Sequence, residues 1–399
     1  MRVLHIITGL GIGGAEQQLR LLLRHLPTDS DVITLTNPGA VAEGITADGG
    51  RVTDLAMAGN LDVGALPRLT KLVRQGRYDL VHTHLYRACL YGRFAARLAG
   101  VRPIVATEHS LGAVQIEGRP LSSGARALYL AGERLGTATV AVSATVARRL
   151  EHWGVRRDRI HVVPNGIEAA RFAFDAAARR AARRRLGLPG DAFVVGGVGR
   201  ITAGKRYDTL VRAVAELPGA RLLLIGDGPE RAALRRLAGE LGAADRTVLH
   251  GACQDPPPAP PAPSSPSALS SPTTGGGPDL PSLLAAMDVF VSTSPDESFG
   301  LAVVEALAAG LPVLHVTCPA LHDLPPEAAP GARRISGSVT GLVADLRRFQ
   351  ESFGEAGPHR LPVPPAVLHY DISHSAEQLM TVYENAVRGP VPNREVSCS

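Results

Sequence analysis

Two carboxylates, Glu297 and Glu305, stand with seven residues between them in the stretch SPDESFGLAVVEALAAGLPV, residues 294–313. Glu297 precedes a glycine-containing turn, and Glu305 lies inside an apolar run whose spacing predicts a helix. Gly310 ends that helix, Pro312 keeps it ended, and VLHV then reads as a strand. Carboxylates accept hydrogen bonds from sugar or ribose hydroxyls. The N–H groups at the helix start, at Ser298, Phe299, Gly300 and Leu301, can hold a phosphate. The chemistry implied is binding of a ligand that carries both hydroxyls and phosphates. Leu301, Val304, Leu307 and Ala308 also form a buried-type stripe, so the helix has a packing role, and a plain amphipathic helix with surface acids would share that stripe.

Other candidates lie at strand ends. Gly9-x-Gly11-x-x-Gly14 follows an apolar strand and fits a dinucleotide fingerprint, yet the second strand ends in Thr36-Asn37 where a nicotinamide cofactor would want an acid. The loop therefore argues for close approach of backbone to ligand, or for a tight turn alone. In GVGRITAGKRYDTL, residues 197–210, Arg200 and Lys205 follow a glycine-rich strand end, where two cations would offset a diphosphate. His109 closes the strand VATEH, and His82 and His84 close another. Asn165-Gly166 reads chiefly as a turn.

The elements that position these residues alternate strand with helix, the pattern of a parallel α/β sheet. Strands are predicted at 2–8, 31–36, 79–84, 104–109, 137–143 and 160–165. A second set follows at 193–199, 221–228, 247–252 and 287–294. Helices are predicted at 15–26 and 374–387, and the tail over 355–367 reads as proline-rich loop. The Arg/Ala-rich segment 169–190 marks a domain boundary. It gives a first domain over 1–180, a second over 190–370 and a final helix within 371–390. Residues 255–278, rich in Pro, Ser and Gly, read as a surface insertion.

At 399 residues the chain is long enough for two cores. Its mean hydropathy of +0.07 is ordinary for a globular protein. The net charge of +5 is gathered in clusters such as Arg148/Arg149, Arg156/Arg157/Arg159 and Arg179/Arg180/Arg183/Arg184/Arg185. The last could touch anionic lipid, but a solvated helix face is the simpler reading, and no aromatic-interleaved nucleic-acid surface is present. Four scattered cysteines show neither metal-ligand nor disulfide spacing, which fits a reducing cytoplasm. The N-terminal apolar run is too short and too glycine-broken for a signal peptide, and no stretch has the roughly 18 uncharged apolar residues of a membrane span. Any membrane contact would be peripheral.

Taken together, the 294–313 segment, GVGRITAGKRYDTL, GIGGAE, VATEHS, VAVSA with Ser143, VVPNGIE and IGDGPE resemble the retaining GT-B glycosyltransferases of glycosyltransferase family 4 (glycosyl transferases group 1). The resemblance covers residues 1–253 and 287–313. It implies an α/β fold of the GT-B class, with two Rossmann-like domains facing a central cleft and a C-terminal helix crossing back to the N-terminal domain. An acceptor would bind the first domain and a nucleotide-sugar donor, with UDP as the guess, the second. By resemblance Glu297 contacts the donor sugar, Glu305 the ribose, Arg200 and Lys205 the diphosphate, and His109 the sugar. Gly13 and Gly14 face the donor, Asn165 belongs to a recurring turn, and Gly226, Asp227 and Gly228 wall the base pocket. No cofactor is required, and no DxD motif appears where a metal-dependent GT-A enzyme would carry one. The acceptor would be a glycan, a lipid-linked sugar or a secondary metabolite. After Val313 the chain departs from the family's glycine-rich loop, reading LHVTCPALHDLPPEAAPGARR. Two other readings stay open: an NAD-dependent oxidoreductase, and a catalytically degenerate binding subunit.

Overall fold

The computed structural model describes residues 1–59, 62–112, 115–116, 119–120, 122–253, 279–356 and 359–389. The proposed insertion, 255–278, lies outside the described residues. The chain divides into two units. The first is Met1–Gly166 together with the chain from Ile372 onward, and the second is Ile167–Asp371.

The first unit runs β1 (Arg2–Ile7), α1 (Gly14–His25), β2 (Asp29–Thr34), α2 (Gly39–Ala47), β3 (Arg51–Asp54), α3 (Ala65–Gly76), β4 (Leu80–His84), α4 (Tyr86–Ala99) and β5 (Ile104–Glu108). A short hairpin, β6 (Gln115–Ile116) and β7 (Arg119–Pro120), precedes α5 (Ser123–Glu133), β8 (Ala138–Ala141), α6 (Ala144–Trp153) and β9 (Ile160–Val162). Its sheet has the order β3-β2-β1-β4-β5-β8-β9, and every pairing in it is parallel. Strands inside a parallel sheet are covered on both faces, which is why RVLHII, and even LVHTH with its polar residues, are buried almost throughout.

The second unit runs α7 (Ala176–Leu186), β10 (Val194–Val198), α8 (Tyr207–Ala215), β11 (Arg221–Ile225), α9 (Arg231–Glu240), β12 (Thr247–Gly251), α10 (Leu280–Ala285), β13 (Val289–Ser292) and α11 (Leu301–Ala308). It continues with β14 (Val313–His315), α12 (Pro319–His322), β15 (Ala332–Arg334), α13 (Val339–Ala356) and α14 (Pro365–His369). Its parallel sheet has the order β12-β11-β10-β13-β14-β15. The last helix, α15 (Ile372–Arg388), joins the first unit: Ile372, Leu379 and Tyr383 pack with Val3, Val105 and Val140.

Several expectations need correcting. The division falls at Gly166, not within 180–190, so residues 167–180 go with the second unit. The cause lies in the arginines. Arg179 and Arg183 are buried against Asp288, at 2.6 and 2.7 Å, and cap the carbonyls of Ala285, Ala286 and Met287 at the end of α10. That cluster is therefore not a wholly solvated face; Arg180, Arg184 and Arg185 supply the exposed part. Residues 355–367 are not all loop, because α13 reaches Ala356 and α14 begins at Pro365. The second strand is Asp29–Thr34, earlier than 31–36; Asp29 and Asp31 pair with Arg51 of β3 and Arg2 of β1, the strands on either side of it.

Candidate functional site

In the second unit the candidate residues gather past the ends of β10, β11 and β13, where ligands of parallel α/β sheets bind. β10 delivers the chain to Gly199, with φ 148°, then to exposed Arg200, whose side chain makes no hydrogen bond or ion pair among the described residues. A single 3-10 turn, Ala203–Lys205, carries Lys205. The end of β13 fixes that turn: Thr293 Oγ1 donates to the Lys205 carbonyl at 2.6 Å and Ser294 Oγ to the Gly204 carbonyl at 3.5 Å. The same strand leads on to Glu297, and Lys205 Nζ lies 2.5 Å from Glu297 Oε1. Both side chains keep partial exposure, 30% and 15%, so the pair remains open to a ligand.

The turn after Glu297 is anchored from inside. Phe299 is buried, meets the Tyr370 ring edge-on at 5.0 Å, and accepts at its carbonyl from Ala320 N (2.9 Å) and Cys318 Sγ (3.5 Å). Its side chain therefore serves the fold; at this residue only the backbone could face a ligand. Gly300, with φ 105°, starts α11, and a Cβ there would stand 2.6 Å from Cys318 Sγ. Burial pushes the Cys318 thiol up to about 12, so it stays a neutral packing group. The departure after Val313 thus has a structural use: Cys318 fills the space beneath the turn. Ser298, Leu301 and Glu305 are each partly exposed along the start of α11.

Gly226 and Gly228 do something other than line a pocket by themselves. A Cβ on Gly226 would come 2.0 Å from the Gly199 carbonyl oxygen, and one on Gly228 would come 2.3 Å from that of Ile201. They let the loop after β11 lie against the loop bearing Arg200. Asp227 between them is exposed, accepts from Gly228 N at 2.7 Å and stands 3.7 Å from Arg231.

The remaining candidates lie in the first unit. Gly13 caps α1 in an extended conformation and Gly14 opens the helix. Asn165 is buried, and a Cβ on neighbouring Gly166 would come 2.5 Å from Ile372 Cα, so this turn lets α15 approach. Ser143 is the N-cap of α6, accepting from Val146 N at 3.1 Å. His109 is 8% exposed, and burial pushes its imidazole down to about 4. It does not stand alone, for its Nε2 is 3.2 Å from His84 Nδ1, and His84 Nε2 is 3.1 Å from His5 Nδ1. His5 stands inside the apolar strand RVLHII, where the sequence alone gives no sign of a site. The alternation places His82 and His84 on one face, and the register His5↔His82 sets His5 beside them.

Among the described residues no helix is long and apolar enough to cross a membrane.

Comparison with known proteins gives the family and the fold. Residues 12–171 match the profile "Glycosyltransferase Family 4", and residues 178–258 and 271–351 match two profiles described as "Glycosyl transferases group 1". A D-inositol 3-phosphate glycosyltransferase of Thermobispora bispora is 32% identical, the match covering 93% of this chain and 86% of the relative. A second protein of that name, from Acidothermus cellulolyticus, is 37% identical over 63% of this chain but only 54% of its own length. A 2-deoxystreptamine glucosyltransferase of Streptomyces kanamyceticus is 30% identical over 71% of each chain. Among solved structures, Anabaena HepE in complex with UDP-glucose superposes with a TM-score of 0.78 at 20% identity, covering 96% of this chain and 100% of that one. Sucrose-phosphate synthase from Thermosynechococcus elongatus gives 0.73 at 22% identity, covering 96% and 98%. The two Rossmann-like units make the fold GT-B, and the chain belongs to glycosyltransferase family 4, the group 1 glycosyltransferases.

Proposed function

We propose that this chain transfers a sugar from a nucleotide diphosphate sugar, UDP-linked in our reading, to a hydroxyl of a small polyol or glycan, with retention at the anomeric carbon. The observation that carries the reading is the Lys205–Glu297 pair beside the start of α11, together with exposed Arg200, whose side chain has no partner among the described residues. In this reading the first unit takes the acceptor and the second the donor.

The donor diphosphate draws Lys205 toward itself and engages Arg200, while Glu297 turns to the hydroxyls of the sugar. Glu305 accepts from the ribose hydroxyls. The anomeric C–O bond breaks and its electron pair leaves with the diphosphate, whose growing charge Lys205 and Arg200 offset. The acceptor oxygen bonds to the same face of the sugar, and its proton passes to a phosphate oxygen of the leaving group. The protein positions and stabilises; with two cations on the diphosphate this route needs no metal and no cofactor. The relatives named for D-inositol 3-phosphate and 2-deoxystreptamine act on cyclitols, which favours a ring polyol as acceptor.

Thermal unfolding with UDP, GDP, ADP and NAD in turn tests the donor class. A ligand at about 100 times its Kd adds roughly 2.7 kcal/mol, a midpoint shift of several degrees. A shift with one nucleoside diphosphate supports the reading, and a shift with NAD alone overturns it. Product from UDP-sugar and a cyclitol, with its anomeric configuration read by NMR, tests retention.

A further inference from the structure

Four imidazoles gather at one face of the first sheet. His5 of β1 is in register with His82 of β4, His84 follows two residues on, and His109 lies just past β5. His5, His82 and His84 are fully buried. Removal from water keeps such rings neutral: it pushes His5 down to about 3 and His109 to about 4, and lowers His82 and His84 well below the usual histidine range. A neutral imidazole has one N–H and one lone pair.

His84 stands between two of the others, with Nε2 3.1 Å from His5 Nδ1 and Nδ1 3.2 Å from His109 Nε2. Each contact needs one proton, and His84 brings only one. If His84 donates from Nδ1, its Nε2 must accept, so His5 carries its proton on Nδ1 and His109 is left with its own on Nδ1. If His84 donates from Nε2, all three protons sit on Nε2. Any mixture sets two lone pairs or two protons against each other. The three rings thus have two arrangements, which differ at the ends: His109 Nδ1 and His5 Nε2, both buried and without a hydrogen-bond partner among the described residues.

A second observation falls on the same residue. Directly after His84, Leu85 holds φ 71° and ψ 153°, a conformation that suits glycine and strains leucine. Strain of this kind persists where the surroundings over-determine it, and it clusters at functional sites. His82 lies outside the chain of rings, engaged with Tyr383 OH at 2.6 Å and Thr107 Oγ1 at 2.7 Å. The ring nitrogens of His5, His82 and His84 come within 4.8 Å of one another, but both nitrogens of His82 and of His84 are engaged, so an ion bound to all three rings would have to break these bonds.

We propose that His5, His84 and His109 form one hydrogen-bonded relay, in which His5 and His84 are positioning residues that set whether His109 presents a donor or an acceptor at Nδ1. The inference rests on the proposed transferase reading, with His109 taken as a residue that meets a substrate hydroxyl. A hydroxyl brought to His109 Nδ1 would accept from it in one arrangement and donate to it in the other.

Nitrogen-15 NMR of the full chain, labelled at histidine, reads the proton position of each ring, with turnover measured in parallel. The expected result is one shared tautomer at His5, His84 and His109. His5→Phe, which removes a partner two rings away, should shift the His109 ring signals and lower kcat, with KM for the donor within about twofold. His5→Asn, which keeps a hydrogen-bonding atom near the Nδ1 position, should restore both. Should His5→Phe fail to fold, His84→Asn keeps a contact to His109 and cuts the link to His5, so the His5 and His109 tautomers should no longer be tied to each other. Mixed tautomers in the wild type, an unchanged His109 spectrum in His5→Phe, or one equivalent of zinc in the purified protein would overturn the relay. Full turnover in His109→Ala would instead remove the catalytic reading and leave the NMR result standing.

Discussion

Lys205 and Glu297 follow two strands that are neighbours in the sheet, β10 and β13, and their charged atoms meet at 2.5 Å. An ion pair at a strand-end site holds each partner in place until a ligand replaces the contact. Lys205→Ala is therefore expected to lower kcat by about 10²-fold or more, the scale of losing a charge-stabilising group. Lys205→Arg should recover part of it. Steady-state kinetics with the donor identified by thermal shift checks both.

Glu305→Ala is expected to weaken nucleotide binding more than turnover at saturation. Losing hydrogen bonds to a charged acceptor costs roughly 1.5–3 kcal/mol, or about 10- to 150-fold in Kd. Calorimetric titration with the nucleoside diphosphate alone measures this, and an unchanged Kd would remove Glu305 from the site.

Asp288 holds Arg179 and Arg183 and accepts from Val194 N at 2.8 Å, all within the buried part of the second unit. Asp288→Ala leaves two buried guanidinium groups with no counter-charge. A loss of about 3–5 kcal/mol follows, visible as a lower urea midpoint for the second unit. Asp288→Asn should lie between the two.

Much of this fold could be read from the chain, and the failures have physical reasons. The central strands are apolar runs, so they were legible. RVTD and ARR, which form β3 and β15, are short, polar and at the sheet edges, and nothing in them distinguishes strand from loop. The site motifs placed Lys205, Arg200, Glu297 and Glu305 in one unit, but the pairing of Lys205 with Glu297 depends on β10 lying beside β13. Arg179 and Arg183 looked like surface because their counter-ion, Asp288, is more than a hundred residues away in the chain. His5 needed the sheet register before it could be grouped with His84.

The buried histidines predict an acid limit on stability. Their pKa values are lowered on folding, so the unfolded chain binds more protons below pH 6.5, the ordinary histidine value, and the folded state loses ground as pH falls from there toward about 4. At pH 5 each ring so held costs about 2 kcal/mol relative to pH 7.5. Urea midpoints at the two pH values should differ in that direction, and the difference should shrink in His5→Asn.

Gly226→Ala would force a Cβ to within 2.0 Å of the Gly199 oxygen at a φ of 142°. The loop bearing Arg200 must then move. Weakened nucleotide binding with the first unit's stability unchanged is the expected outcome, read by thermal shift and by two-probe urea unfolding.

The first unit is interrupted by the second and finished by α15. On the ribosome, its opening strands are therefore made long before the helix that covers them, and Val3, Leu80 and Val105 must wait while residues 167–371 are synthesised. Tyr383, which closes over His82, comes after all of these. The order of synthesis makes the final helix a checkpoint: a chain broken off during or after the second unit would keep an apolar, histidine-bearing sheet face open for a chaperone or protease to find.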